Sequence, residues 1–123
     1  MALSEFFLNN FETSDNALDQ RLKPHYYNND YHTTQHLITS CLNQVGFKMI
    51  NVDNYYHEML FEYKRIRVIV ILNEMSLYDI RVDMKINAKY VLPLKLPIKI
   101  IAKLYEILDR KLTLKYLGGE RNE

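Results

Sequence analysis

Residues 66–86 read IRVIVILNEMSLYDIRVDMKI. Ile66 to Leu72 is β-branched and almost wholly apolar, the composition of a central strand. Asp79 to Ile86 alternates instead. Ile80, Val82, Met84 and Ile86 fall on one side, and Asp79, Arg81, Asp83 and Lys85 on the other. That period of two marks a half-buried strand with one solvated face. Asn73-Glu74-Met75-Ser76 is the expected hairpin connection between them. Two such strands in succession make the centre of the protein an antiparallel sheet.

Working upstream, residues 58–64 (EMLFEYK) place Met59, Phe61 and Tyr63 on one face and Glu58, Glu62 and Lys64 on the other. Lys64-Arg65 carries no turn signal, so 58–72 reads as one long bent strand or as two. Residues 47–52 (FKMINV) form a short strand. Before it, a helix runs from about Thr33 to Val45. Leu37, Cys41 and Val45 recur every fourth residue, Ile38 and Leu42 widen the apolar face, and Gly46 stops the helix. Residues 25–32 (HYYNNDYH) read as a polar, aromatic loop. Two short helices are expected ahead of it. One spans 3–11, with Leu3, Phe6, Phe7 and Phe11 at helical spacing and Ser4 as its cap. The other spans 14–22, capped by Ser14 and ended by Lys23-Pro24.

Working downstream, residues 87–97 carry two prolines and read as an extended crossover. A last helix begins near Pro97. Its apolar face holds Ile101, Leu104, Tyr105, Leu108 and Leu112, and Gly118-Gly119 ends it. The expectation is one α+β domain over 1–123, with a small antiparallel sheet of three to four strands packed on helices. The order is α-α-α-β-β-β(-β)-α: a helical segment at 1–24, an α-β-β-β-α core at 33–112, and a polar tail at 118–123.

The 123 residues suit one domain, with 48% hydrophobic and 25% charged residues. Cys41 is the sole cysteine, so no intrachain disulfide forms; in its apolar stretch it reads as a buried, inert thiol. The start, Met1-Ala2-Leu3-Ser4-Glu5, lacks the basic and apolar regions of a signal peptide, and no apolar run is long enough to span a bilayer. A soluble cytoplasmic protein without membrane contact is the expectation.

Charge is divided unevenly. Residues 1–63 hold eight acids and three bases, net −5; residues 64–123 hold seven acids and thirteen bases, net +6. A basic half invites an acidic protein surface or a polyanion. On the last helix Lys99, Lys103 and Arg110 lie opposite the apolar face, and Lys89 and Lys95 precede them. The plainer account is a solvated helix face, with Glu106 placed to pair with both Lys103 and Arg110. Ten Tyr and no Trp add a second feature. Tyr combines an apolar body with a polar tip, which suits interfaces, and Tyr55-Tyr56 is the expected anchor pair.

Catalytic and metal chemistry find little support. His25, Asp30, His32 and His36 lie close together, and His32 and His36 would share a helical face. Tyr31-His32-Thr33-Thr34-Gln35-His36-Leu37 resembles, over seven residues, the Tyr-His-x-x-x-His-Leu stretch of some HD-superfamily phosphohydrolases. Those enzymes also carry an adjacent His-Asp pair on a later helix, and no His-Asp dipeptide exists here. No metal site is assigned. No glycine-rich phosphate loop or glycine-framed serine exists either, so no cofactor and no enzyme activity are expected.

The helix, three strands, helix order of 33–112 is similar to that of the double-stranded RNA-binding domain. In that family basic residues at the start of the last helix contact phosphates, and Lys95, Lys99 and Lys103 occupy a comparable region. The Gly-Ser-Lys-Lys type of loop before that helix is missing. The leading expectation is a non-catalytic protein-binding module, a small regulator, inhibitor or adaptor of the kind phages and mobile elements carry. It would meet an acidic partner through Lys95, Lys99, Lys103 and Arg110, with Tyr55 and Tyr56 as anchors. Nucleic-acid binding by the basic half is the alternative. Oligomeric state is not legible.

Overall fold

A computed structural model describes residues 10–88 and 96–118. Seven strands, all paired antiparallel, form one sheet with two α-helices among these residues. The strands are β1 (Asn10–Glu12), β2 (His25–Tyr27), β3 (Lys48–Asp53), β4 (Glu58–Tyr63), β5 (Ile66–Ser76), β6 (Asp79–Ala88) and β7 (Leu114–Leu117). The helices are α1 (Tyr31–Gln44) and α2 (Leu96–Lys111). Six strands lie in the order β3-β4-β5-β6-β2-β7, and β1 pairs with β6 off this path.

This corrects the expected sheet of three to four strands behind three helices. Four strands, not three, separate the helices, so the likeness in order to the double-stranded RNA-binding domain does not hold. Residues 3–9 of the first expected helix lie outside the described residues, and Asn10–Glu12 is a strand. Only a 3-10 turn, Gln20–Leu22, occurs within 14–22. Ser14 makes a local turn instead of a cap, with its Oγ accepting from the Asn16 N–H at 3.2 Å. The expected loop at 25–32 contains β2 and the first turn of α1. The last helix stops at Lys111, before β7.

The central reading of the sheet agrees with the structure. Val68, Val70 and Leu72 of β5 and Ile80, Val82, Met84 and Ile86 of β6 are fully buried under the helices. Met59 and Phe61 of β4 join them, and Ile38, Cys41 and Leu42 of α1 with Ile101, Leu104 and Leu108 of α2 close the core. β4 and β5 are two strands, split at Lys64, which takes the left-handed φ of 57° despite being neither Gly nor Asn. The β5–β6 turn falls at 77–78, so Asn73–Ser76 belongs to β5.

The outward face of β6 differs from its alternating pattern. Asp79 and Asp83 are only 4% and 9% exposed. The N-terminal chain covers this region. β1 pairs with Lys85–Asn87, residues 14–24 leave the sheet, and β2 returns to pair with Ile80–Val82 on the same side of β6. The Thr13 hydroxyl donates to Asp83 at 2.7 Å. Arg81 bridges Asp83 at 2.6 Å and Asp15 at 2.7 Å. An acid of the negative half and a base of the positive half therefore neutralise each other inside the fold.

Asp30 caps α1. Its carboxylate accepts from the Thr33 N–H at 2.7 Å. Hydrogen bonding by the Thr33 side chain, and then by its backbone N–H, holds the Asp30 carboxyl below its ordinary value. A depressed folded-state value adds stability at neutral pH, and the gain is lost as pH falls through that value. Asn also caps well but does not titrate. Parent and Asp30→Asn should therefore differ in Tm at pH 7, with the parent higher, and converge in acid. A gap that stays constant down to pH 2 in thermal melts would contradict the charged cap.

Candidate binding groove

Helix α2 presents three surfaces because its side chains advance 100° per residue. Pro97, Ile101, Leu104, Tyr105 and Leu108 face the core. One flank carries Lys99, Ile100, Lys103 and Ile107. The other carries Ala102, Glu106 and Asp109. Each flank borders a cavity.

The first is an apolar groove of about 360 Å³. Lys99, Ile100, Lys103, Leu104 and Ile107 form its helix side, and Val45, Phe47, Tyr63 and Ile66 the other. The local sequence explains the hollow. Gly46 ends α1 at φ 102°, and an added Cβ there would sit 2.9 Å from Tyr63 Cε1. This close approach lets the Tyr63 ring pack beside Phe47, with centroids 5.5 Å apart. Ile100 and Ile107 reach only partly into the core, which leaves apolar surface open beside them.

Cations rim this groove, and among the described residues no carboxylate lines it. Lys99 and Lys103 stand one helical turn apart. Lys99 makes no ion pair among the described residues, and Lys103 makes only a long one to Glu106 at 3.9 Å. The Lys64 ammonium lies 5.2 Å from the centroid of the Tyr63 ring.

The other expected binding residues lie elsewhere. Arg110 pairs with Glu106, one turn back on α2, and does not line the groove. Lys95 lies outside the described residues. Tyr55 and Tyr56 are 82% and 64% exposed at the β3–β4 turn, with their N–H groups held by Asp53 and their rings edge-on at 4.8 Å. That turn is at the opposite end of β4 from Tyr63, about 20 Å away at the usual rise per residue. The cations and the Tyr pair thus form two separate surfaces.

The second cavity, about 310 Å³, holds a cluster that the sequence did not reveal. His25 Nδ1 lies 2.8 Å from Asp109 Oδ1, and the buried Tyr27 hydroxyl donates to the same oxygen at 2.7 Å. The His25 ring stacks on Tyr105 at 3.7 Å. Burial, with the Asp109 charge, pushes the Tyr27 phenol far up. A strand period placing His25 and Tyr27 on one face was the only available signal, since Asp109 is 84 residues away in sequence. An Asp that orients a His is one part of a nucleophilic site. Among the described residues no Ser, Thr or Cys lines this cleft to serve as the nucleophile.

The histidine loop does not assemble. His25 faces Asp109, Asp30 caps α1, and His32 and His36 are exposed on its first turns. No group of three or more His, Cys, Asp or Glu able to hold a metal occurs among the described residues. Burial raises the Cys41 thiol above its ordinary value, which keeps it protonated. No described helix is long and apolar enough to cross a membrane. No known protein family, curated protein or solved structure matches this chain.

Proposed function

We propose that this chain is a non-catalytic protein-binding module, a small regulator, inhibitor or adaptor, that receives an acidic segment of another protein along the Lys99–Lys103 flank of α2. The observation that carries this reading is an apolar groove rimmed by cations and, among the described residues, free of lining carboxylates. An apolar floor supplies burial energy, and rim charges supply orientation and partner choice.

The pairing of Arg67, Arg81 and Arg110 favours protein over nucleic acid. A phosphate-tracking surface needs a row of available cations. Arg67 holds Glu62 at 2.9 Å, Arg81 holds Asp83 and Asp15, and Arg110 holds Glu106. A partner engaging both the groove and Tyr55-Tyr56 must span about 20 Å along the sheet.

Affinity capture from the native cell, with and without nuclease, tests the reading. Lys99→Glu/Lys103→Glu is the comparison. Both side chains are exposed, so the fold should persist. Two reversed exposed pairs amount to roughly 1–3 kcal/mol, or about 10- to 100-fold in Kd. The loss should be larger at low salt. A partner removed by nuclease, or one held equally well by the double variant, would defeat the proposal.

A further inference from the structure

We infer that the occupant of the Lys99–Lys103 groove is an acidic amphipathic α-helix of the partner. Its apolar stripe would lie between α2 and the Phe47–Tyr63 ring pair, with carboxylates on its borders reaching Lys99, Lys103 and Lys64. This rests on the module reading above and sharpens it to one ligand class.

Three features select a helix. First, Ile66, the β5 residue beside the groove, already pairs on both sides, with Tyr63 of β4 and Ala88 of β6, and has no open edge for an added strand. The groove is lined by side chains, which suits an occupant that satisfies its own backbone, as a helix does. Second, the volume of about 360 Å³ is at the low end for ligand pockets, and the groove is partly open to solvent, not enclosed. It can take a few aliphatic side chains from one face of a helix, whereas a lipid-like carboxylate needs a cavity that encloses its chain. Third, Lys99 and Lys103 repeat at i, i+4. Carboxylates at i, i+4 on a helix lying along α2 repeat at the same spacing.

The probe is a synthetic helical peptide with Leu at i, i+3, i+4 and i+7 and Glu bordering that stripe. A second peptide carries Lys in place of each Glu. Binding to the full chain is read by fluorescence and by amide chemical shifts. The Glu peptide should shift the amides of Val45, Tyr63, Ile100 and Ile107. Its Kd should rise at least about tenfold with Lys99→Glu/Lys103→Glu, the scale of two reversed exposed pairs. The Lys peptide should show the opposite order and prefer the double variant.

No shift at these amides, or equal affinity of the Glu peptide for parent and double variant, would overturn the inference. So would stronger occupation of the same amides by sodium dodecanoate or by duplex RNA. Groove shifts that appear on concentrating the protein alone would assign the site to a second copy and overturn it too. A captured partner that needs Lys99 and Lys103 but is not displaced by the Glu peptide would sink the helix and leave the module standing. Peptide binding in the groove, with capture unaffected by the double reversal, would sink the module reading instead.

Discussion

Val68→Asp is expected to unfold the domain. Val68 is fully buried as the third residue of β5, between Phe61 of β4 and Ile86 of β6. Its core neighbours are apolar, so a carboxylate there has no partner. Burying it costs several kcal/mol or forces it to stay protonated. Total stability of a domain this size is roughly 5–15 kcal/mol, so one such change can consume most of it. Far-UV circular dichroism should show no cooperative melt. Ile69→Asp is the control, one residue along on the opposite, half-exposed face, and it should remain folded. A Val68→Asp variant melting at the parent's temperature would refute the assigned core.

Asp83→Ala should cost about 2–4 kcal/mol, although on an open strand face the change would be within about 0.5. Asp83 accepts from the buried Thr13 hydroxyl and from Arg81 Nε. Removing it leaves Thr13 without that acceptor and Arg81 with Asp15 as its remaining acid. The Arg81 side chain is 24% exposed, and water can reach it, which holds the cost toward the lower end. Replacing both partners should be milder than removing one, because the only charge left without its ion pair is Asp15, whose side chain is 37% exposed. Arg81→Met/Asp83→Leu should therefore recover part of the urea midpoint lost in Asp83→Ala. A single variant with an unchanged midpoint would show that the N-terminal chain does not seal this face.

The sheet's centre was legible because its physics is local. Residues 66–72 are buried by composition and 80–86 by alternation, and both periods match the backbone geometry. The remaining strands take their state from distant partners. His25–Tyr27 is three residues long and buried on both faces, so no alternation marks it; pairing with β6 and β7 makes it a strand. Leu114–Leu117 reads as a continuation of α2. The helix ends earlier because the Thr113 N–H is taken by Asn29 Oδ1 at 2.8 Å, across a long stretch of chain. The Lys64 turn lacked a signal because a Lys occupies the left-handed region. At the candidate site, Lys99 and Lys103 could be read as one helical face. The groove beside them could not, since it needs Phe47 and Tyr63 to meet α2 in space. Charge counting overstated the free polarity, because Arg81 and Arg67 each hold a carboxylate of the acidic half, Asp15 and Glu62.

The interrupted strand beside β6 also constrains the order in which the chain can organise itself. β3 to β6 are successive hairpins, each closing over a short loop. β1 and β2 pair only with β6 and β7, and the Thr13–Asp83 contact closes a separation of 70 residues. Loop-closure entropy rises with that separation, so the local hairpins are favoured to form ahead of it. During synthesis residues 10–27 leave the ribosome before either ladder partner exists. Their N–H and C=O groups must stay with water, or be shielded, until β6 has emerged. β2 then waits further for β7, which follows α2. A ribosome stalled anywhere before residue 79 therefore holds a nascent chain whose first strands have nothing to pair with.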